Sequence, residues 1–507
     1  MRGRTAASTA AVLLFGAVLG GLTVRLGGTT GAVLWGVGVV VALLAGFAAR
    51  RPAQVRDAPV DLTKADKVET GNGDAADGAG RRVLVVASCL ALVAGLVAFW
   101  PDDDTERRPS AGSRPHSDAS SPSPTGSGSG SGSGSVKGSL AWKVPAVGGD
   151  RDRGPGAWGL RDTVVQGRLA GLFAYGARAG AVRWSLPAPA RVAVCGMSPR
   201  AEEGVGLVAY GRHDKPCATL AAVRTSDGKT LWQRTVAGDG LAAYGFTVGG
   251  ATAVAVEDRT VRARSAETGA QRWQRPLAKN CEIRAVEATA SRTLLVEQCG
   301  SGARLLALDT RTGTEQWKRD LPIESEATAA VISVTPVVVA VAEEDERGTS
   351  AFLGFDDRGA PTVTVPLSGP AGKLVAPAAV AGTSDDGRAL VLGDLLITLA
   401  ERKDLVPDVV VAHSLKDGRK VWERGFTHQT SALTGEPDGR VGVLLNAGDG
   451  AKIALLDTAR GTVSAQIDSE NVGAALSITP EPIAFPDGHV VVNHISLHGE
   501  PAVFGLR

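Results

Sequence analysis

Charge of one sign is missing from this chain: 54 lysines and arginines offset 53 acids over 507 residues, for a net charge of +1. No dense basic patch breaks that balance, so a nucleic-acid partner held by phosphate contacts is excluded. Aromatic residues are scarce at 4%. Cysteine is rare, five in all, and no Cys-Cys dipeptide, CxxC pair or CxxCH sequence occurs. This closes off close-spaced zinc ligation and covalent haem attachment. HExxH, GxSxG and GxxxxGK[ST] are also absent, so the sequence offers no metalloprotease, serine hydrolase or P-loop chemistry. Arginine far outnumbers lysine, and Ala, Gly and Val dominate, as in products of high-GC bacterial genomes.

Three long apolar runs come first, at about 5–24, 31–49 and 83–100. Each has roughly 18–20 uncharged residues, enough for a helix to cross a hydrocarbon core of ~30 Å. A signal peptide competes for the first, because Arg2 and Arg4 precede it, but no small-residue cleavage site follows. The 50–82 loop carries Arg50, Arg51, Arg56, Lys64, Lys67, Arg81 and Arg82, against Arg25 alone in the first loop. Positive loops stay inside. The sequence therefore predicts a bacterial multi-pass membrane anchor over 1–101, with a cytoplasmic N-terminus and everything after Trp100 outside the cytoplasm. Residues 102–136 are Ser, Gly and Pro with almost no apolar side chains, a composition that predicts a disordered linker.

From residue 137 a glycine recurs at intervals of 41 to 59 residues, usually with tryptophan four positions later. The pairs are Gly138/Trp142, Gly180/Trp184, Gly228/Trp232, Gly269/Trp273, Gly313/Trp317 and Gly418/Trp422. Gly359/Val363 and Gly461/Ala465 keep the frame and lose the indole. Six of nine tryptophans thus serve one repeated position, an architectural use. Before most of these glycines lies a short alternating strand, as in RLLALDTRTG (304–313) or KIALLDTARG (452–461), with another apolar run earlier in the unit. The glycine supplies positive φ to a hairpin turn, and the residues around the tryptophan form the returning strand. Three to four strands per unit without helical periodicity make a propeller blade.

The first motif (137–144) has no strands before it, and the last 46 residues contain strands but no further motif. Joined, they make one blade. The predicted fold is all-β over 137–507, an eight-bladed propeller closed by both ends of that region, with seven blades as the alternative if the Gly359 unit fails.

The pattern [D/T]-G-x-x-x-W, in TGAQRWQR, TGTEQWKR, DGKTLWQR and DGRKVWER, resembles the pyrroloquinoline-quinone (PQQ) repeat. Proteins with this repeat include quinoprotein alcohol dehydrogenases and the propeller lipoprotein of the β-barrel assembly machinery. The resemblance implies that Trp142, Trp184, Trp232, Trp273, Trp317 and Trp422 are buried residues wedged between blades, and that Val363 and Ala465 leave thinner junctions. The dehydrogenases of this type set an adjacent Cys-Cys disulfide against the quinone and hold calcium with acidic and amide ligands. This chain lacks the dipeptide, so no cofactor, no metal and no catalytic residue is expected.

Cys89 falls in the third apolar run. The spacing of the other four places each pair on the first and second strands of one blade, which favours Cys195–Cys217 and Cys281–Cys299; two other connectivities and free thiols remain as alternatives. His489, His494 and His498 cluster near the C-terminus, but residues five apart on a strand face opposite sides, so they read as surface or loop histidines. The acidic run Glu343–Glu344–Asp345–Glu346 reads as an exposed hairpin. The expected function is a membrane-tethered, extracytoplasmic binding scaffold, its partner an envelope protein or wall component. The competing readings are an extracytoplasmic ligand sensor with a separate cytoplasmic partner, and a quinoprotein dehydrogenase.

Overall fold

The computed structural model describes residues 135–136, 138–146, 152–212, 215–236, 238, 240–343, 348–369, 372–375, 387–402, 406–448, 450–468, 480–496 and 501–507. Among them no helix is long and apolar enough to cross a membrane, and the three predicted spans lie outside the described residues. The described part is an eight-bladed β-propeller. Blade 1 comprises 157–187, blade 2 193–235, blade 3 241–276, blade 4 281–320, blade 5 327–366, blade 6 368–425 and blade 7 429–468. Blade 8 takes Pro480–Phe485, Gly488–Asn493 and Pro501–Leu506 from the end of the chain and Leu140–Pro145 from the other side of the sequence. Ser135–Val136 also pairs, in parallel, with Val463–Asp468 of blade 7. Two neighbouring blades are thus stitched by the same short segment, and the ring is closed.

Blade 5, the unit with the weak Gly359 motif, is a complete four-stranded sheet. The longest repeat interval maps to blade 6. There the first strand is split, so that Gly372–Leu374 and Ala389–Leu392 both pair with Leu395–Glu401.

The middle strands depart from the alternation expected of them. Thr163–Arg168, Val205–Gly211 and Thr252–Glu257 are buried at every position. A blade is covered on both faces by its neighbours, so both sides of its central strands are interior. Outer, motif-bearing strands alternate instead, as in Leu140–Pro145 and Val182–Pro187. The core divides accordingly into eight apolar clusters, each lying between two successive blades, and the last joins blade 8 to blade 1.

Each repeat tryptophan sits on the fourth strand of its blade, opposite a small residue of the third: Ala174 for Trp184, Ala222 for Trp232, Ala263 for Trp273, Ala307 for Trp317, Ala412 for Trp422 and Gly505 for Trp142. The indole lies over the repeat glycine of the next blade. A Cβ on Gly180 would stand 2.4 Å from Trp142, on Gly228 2.5 Å from Trp184, on Gly313 2.6 Å from Trp273 and on Gly461 2.4 Å from Trp422. No side chain fits there. These glycines also have φ near +70°, at Gly180, Gly228, Gly269, Gly313, Gly359, Gly418 and Gly461. Gly138 follows no hairpin and lacks the positive φ, yet Ile467 of blade 7 would crowd its Cβ at 2.1 Å.

The indole N–H completes the contact. Trp142 donates to the carbonyl of Ala177 at 3.0 Å, Trp184 to Thr225 at 2.9 Å, Trp232 to Ala266 at 2.8 Å, Trp273 to Thr310 at 2.9 Å and Trp422 to Thr458 at 2.8 Å. Every acceptor lies three residues before the next repeat glycine. Trp317 donates to Asp357, only two before Gly359, because that turn closes on Asp356 three residues back, where Gly313 closes on Asp309 four residues back. Trp232, Trp273 and Trp422 are buried, whereas Trp142, Trp184 and Trp317 are half-buried, more exposed than the repeat implied. At Trp317 the uncovered ring face carries the Arg292 guanidinium at 6.0 Å. Replacing Trp273 by Ala is expected to cost about 3–5 kcal/mol and by Phe less, since Phe keeps most of the packing and loses the hydrogen bond. Chemical denaturation of the two variants should order them so; equal losses would mean that the ring contributes no packing.

Candidate functional site at the blade 7–8 junction

Blade 7 reverses the size pattern. Its motif position is Ala465, and the residue opposite on the third strand is Leu455. At the other motif without an indole, Val363 faces Gly354 and would stand 3.0 Å from a Cβ on Gly418, so a smaller side chain keeps the contact. Between blades 7 and 8, Ile467 takes over against Gly138 and Ala465 leaves space outside it. A cavity of about 570 Å³ opens there, with Leu455, Ala465, Ile467 and Phe485 as its apolar wall and Glu436, Arg440 and Asp487 among its polar residues. A second cavity, about 350 Å³, lies between blades 8 and 1 and is lined by Arg161, Asp162, Arg178 and Arg183. Both share the Phe485–Gly488 turn, His489 and Arg507. The larger one occupies the junction without an indole.

The titratable groups of these cavities are mostly committed. His489, 4% exposed, contacts Glu436 through Nε2 at 2.8 Å, and its Nδ1 is buried without a partner. Asp438 pairs with Arg440 at 2.7 Å, and Asp162 with Arg183 at 2.7 Å. The Arg183 hydrogen bond holds the Asp162 carboxyl below the usual carboxylate range. Asp487, on the shared turn, is exposed and has no partner among the described residues.

The predicted histidine cluster does not form. His489 reaches Glu436 of blade 7, while His494 contacts Glu481 of blade 8 at 2.7 Å. Both rings are buried, contrary to the surface placement expected, and His498 lies outside the described residues. Their period-two alternation was legible, but a carboxylate partner 53 residues away for His489 was not.

Both expected disulfides are formed. Cys281 and Cys299 face each other on the first two strands of blade 4. Cys195 is on the first strand of blade 2, but Cys217 is not on the second. It lies in the loop before Thr219–Arg224 and bridges to Leu241 of blade 3, so its disulfide braces a blade boundary. Cys281, Glu297 and Cys299 converge closely, but the two sulfurs are bonded to each other and Glu297 pairs with Arg304 at 2.8 Å. This set cannot ligate a metal. Neither disulfide joins adjacent residues, the sequence separations being 22 and 18, so they do not fit the quinone platform of the dehydrogenases.

Two polar assemblies were not visible in the sequence. On the inner strands, Glu287 of blade 4 accepts from Arg200 of blade 2 at 2.9 Å and from Thr247 of blade 3 at 3.2 Å, linking three blades. Burial pushes the Glu287 carboxyl up, and the Arg200 charge and these hydrogen bonds oppose that shift. Glu343, expected in an exposed hairpin, is instead buried. Its carboxylate accepts from the backbone N–H groups of Glu324 and Ser325, both at 2.7 Å, from that of Thr349, and from the Ser325 hydroxyl at 3.0 Å. Residues 344–347 lie outside the described residues.

Those donors, led by the Thr349 and Glu324 N–H groups, lower the Glu343 carboxyl to about 2 from 4.5. A depressed carboxyl stabilises the fold above its unfolded pKa, and that contribution is lost as pH falls toward the folded value. The stability difference between the native chain and Glu343→Gln is therefore expected to be largest above about pH 4.5 and to shrink as pH drops toward 2. Denaturant midpoints of the two proteins measured between pH 7 and 2.5 check this; a pH-independent difference would refute it.

The family described as outer membrane protein assembly factor BamB matches residues 196–392, from the first strand of blade 2 to the first strand of blade 6. Among solved structures, BamB from Moraxella catarrhalis is similar at 16% identity and TM-score 0.43, covering 74% of this chain and 96% of that one. The quinohemoprotein alcohol dehydrogenase ADHIIG from Pseudomonas putida HK5 is similar at 11% identity and TM-score 0.46, covering 73% and 76% respectively. Sqt1 from Saccharomyces cerevisiae is similar at 10% identity and TM-score 0.45, covering 72% and 98%. No curated protein matches the chain. Seven glycine turns in register and six indoles capping the following blade extend beyond the matched residues 196–392 and make this a PQQ-like β-propeller.

Proposed function

We propose that this protein is a membrane-tethered, non-catalytic binding scaffold whose propeller faces the outside of the cytoplasmic membrane. One observation carries the reading. Of the acids lining the two rim cavities, Glu436, Asp438 and Asp162 are each bound to a neighbouring cation or histidine, and Asp487 alone is unengaged. An acid locked in such a pair is a poor general base, whereas a rigid apolar wall with an ion-paired rim suits a protein or peptide surface. The family match to an assembly factor of the outer membrane points the same way at the level of fold. The three apolar runs and the charge of the 50–82 loop support the anchor and its orientation. Two disulfides suit an oxidising compartment.

Two experiments test this. The full-length chain, solubilised in detergent and supplied with PQQ and calcium, is expected to give no dye reduction with alcohols or sugars. Turnover above the protein-free control would replace the scaffold reading with the dehydrogenase one. For topology, a cysteine introduced at Ser120 is expected to react with an impermeant thiol reagent on intact cells, and one at Asn72 only after lysis. The reverse pattern would place the propeller in the cytoplasm.

A further inference from the structure

The propeller states six times which group belongs at the outer end of a blade junction. At Trp142, Trp184, Trp232, Trp273, Trp317 and Trp422 an indole lies against the next repeat hairpin and donates its N–H to a carbonyl of that turn. On its blade 7 side the blade 7–8 junction has the same strands, register and bulge, with Ala465 at the indole position, whereas on its blade 8 side no hairpin joins the third strand to the fourth. Leu455 opposite it and Ile467 beyond it fill the inner part. The outer part remains a cavity of about 570 Å³, continuous with the interface that the two blades already form. Its wall is aliphatic and aromatic, through Leu455, Ile467 and Phe485. His489 lines it as a buried ring whose Nδ1 has no partner. Around the rim Arg440 is neutralised by Asp438 and Glu436 is bound to His489, which leaves Asp487 as the one unengaged carboxylate, while Arg507 donates to the Arg178 carbonyl at 2.7 Å.

We propose that this junction is a docking slot for a tryptophan side chain of a partner protein, flanked in the partner by a lysine or arginine that faces Asp487. The indole enters the outer end of the place that the chain's own tryptophans take elsewhere, against Leu455 and Ile467. The neighbouring cation meets the one unengaged carboxylate of the rim. A planar ring of this size is the usual anchor of a protein interface, where large rigid groups give the most contact for the least lost freedom. The slot rests on the scaffold reading and names the chemistry of what the scaffold holds.

The probe is acetyl-lysyl-tryptophanamide, titrated into the full-length chain in detergent with methyl-labelled isoleucine and leucine. Saturable shifts of the Ile467 and Leu455 methyl signals are expected, with Ile283 and Leu277 at the Trp273 junction unmoved. Acetyl-lysyl-leucinamide is expected to bind at least about tenfold more weakly, the range for loss of an interface anchor. Ala465→Trp fills the slot from within and is expected to abolish the shifts, whereas Val363→Trp at the other motif lacking an indole leaves them intact. Asp487→Asn is expected to weaken the lysyl probe about two- to fivefold, the worth of an exposed ion pair. Unmoved Ile467 and Leu455 signals, equal binding of the leucine probe, or undiminished binding in Ala465→Trp would each overturn the slot. If Ala465→Trp does not fold, the native titration and the leucine comparison decide alone. Failure here removes the slot only; the scaffold reading falls on dye reduction with PQQ.

Discussion

One contact sets the geometry of this molecule: an indole laid flat over a glycine of the next blade, its N–H bonded to the carbonyl that opens that blade's hairpin turn. It joins a non-directional attraction to a directional one. Burial of the ring favours any close approach of two blades, whereas the N–H bond is satisfied only at one rotation and one offset. The glycine is required twice over, by the left-handed turn and by the ring against its Cα. The small residue opposite each tryptophan on the third strand, alanine five times and Gly505 for Trp142, gives the ring room within its own blade. Repeated at six of the eight junctions, these three constraints fix how those blades sit on their neighbours, the closing junction between blades 8 and 1 among them.

Apolar packing alone would let blades slide over one another, because Val, Leu and Ala on both faces of the middle strands define no register. Buried polar groups supply it. Glu343 gathers the N–H groups of Glu324, Ser325 and Thr349 around one carboxylate, which fixes the link from blade 4 into blade 5. Glu287 binds side chains from blades 2 and 3 at once. Each such group is costly to bury unless its partners arrive together, so each favours the single arrangement in which they do. The Cys195–Cys217 bond acts similarly at its boundary, through the bridge between Cys217 and Leu241.

Much of the architecture was legible because the repeat writes its constraint in two residues at fixed spacing. Blade number, the sharing of blade 8 between distant segments, and the Cys281–Cys299 pair followed from counting, since strand position is a matter of sequence distance. The position of Cys217 was missed because counting does not distinguish a strand from the loop after it. Glu343 and His489 were misread for a different reason: their partners lie 18 and 53 residues off, and an acidic run or a histidine on an apolar strand looks alike whether solvated or paired. The rim cavity was harder still. Its one written sign was the absence of an indole at Ala465, and the expectation of a thinner junction pointed to the right place without its volume or charge.

The vacancy at Ala465 has a cause in the closure itself. At the filled junctions the acceptor is a turn carbonyl of the hairpin between the third and fourth strands of the next blade. Blade 8 has no such hairpin, since its third strand ends at Leu506 and its fourth begins at Leu140, with Gly138 lacking the turn conformation. An indole fixed to the blade 7 strand would therefore bury its N–H without the carbonyl that the other six find, at a cost of about 1–3 kcal/mol, whereas one entering from the rim keeps its N–H at the open mouth of the cavity. Ile467 against Gly138 and Leu455 across from Ala465 restore apolar contact without that donor. What they do not restore is the outer volume. A propeller closed by two segments distant in sequence thus keeps one junction open for a chemical reason, and it is the junction we propose as the docking slot.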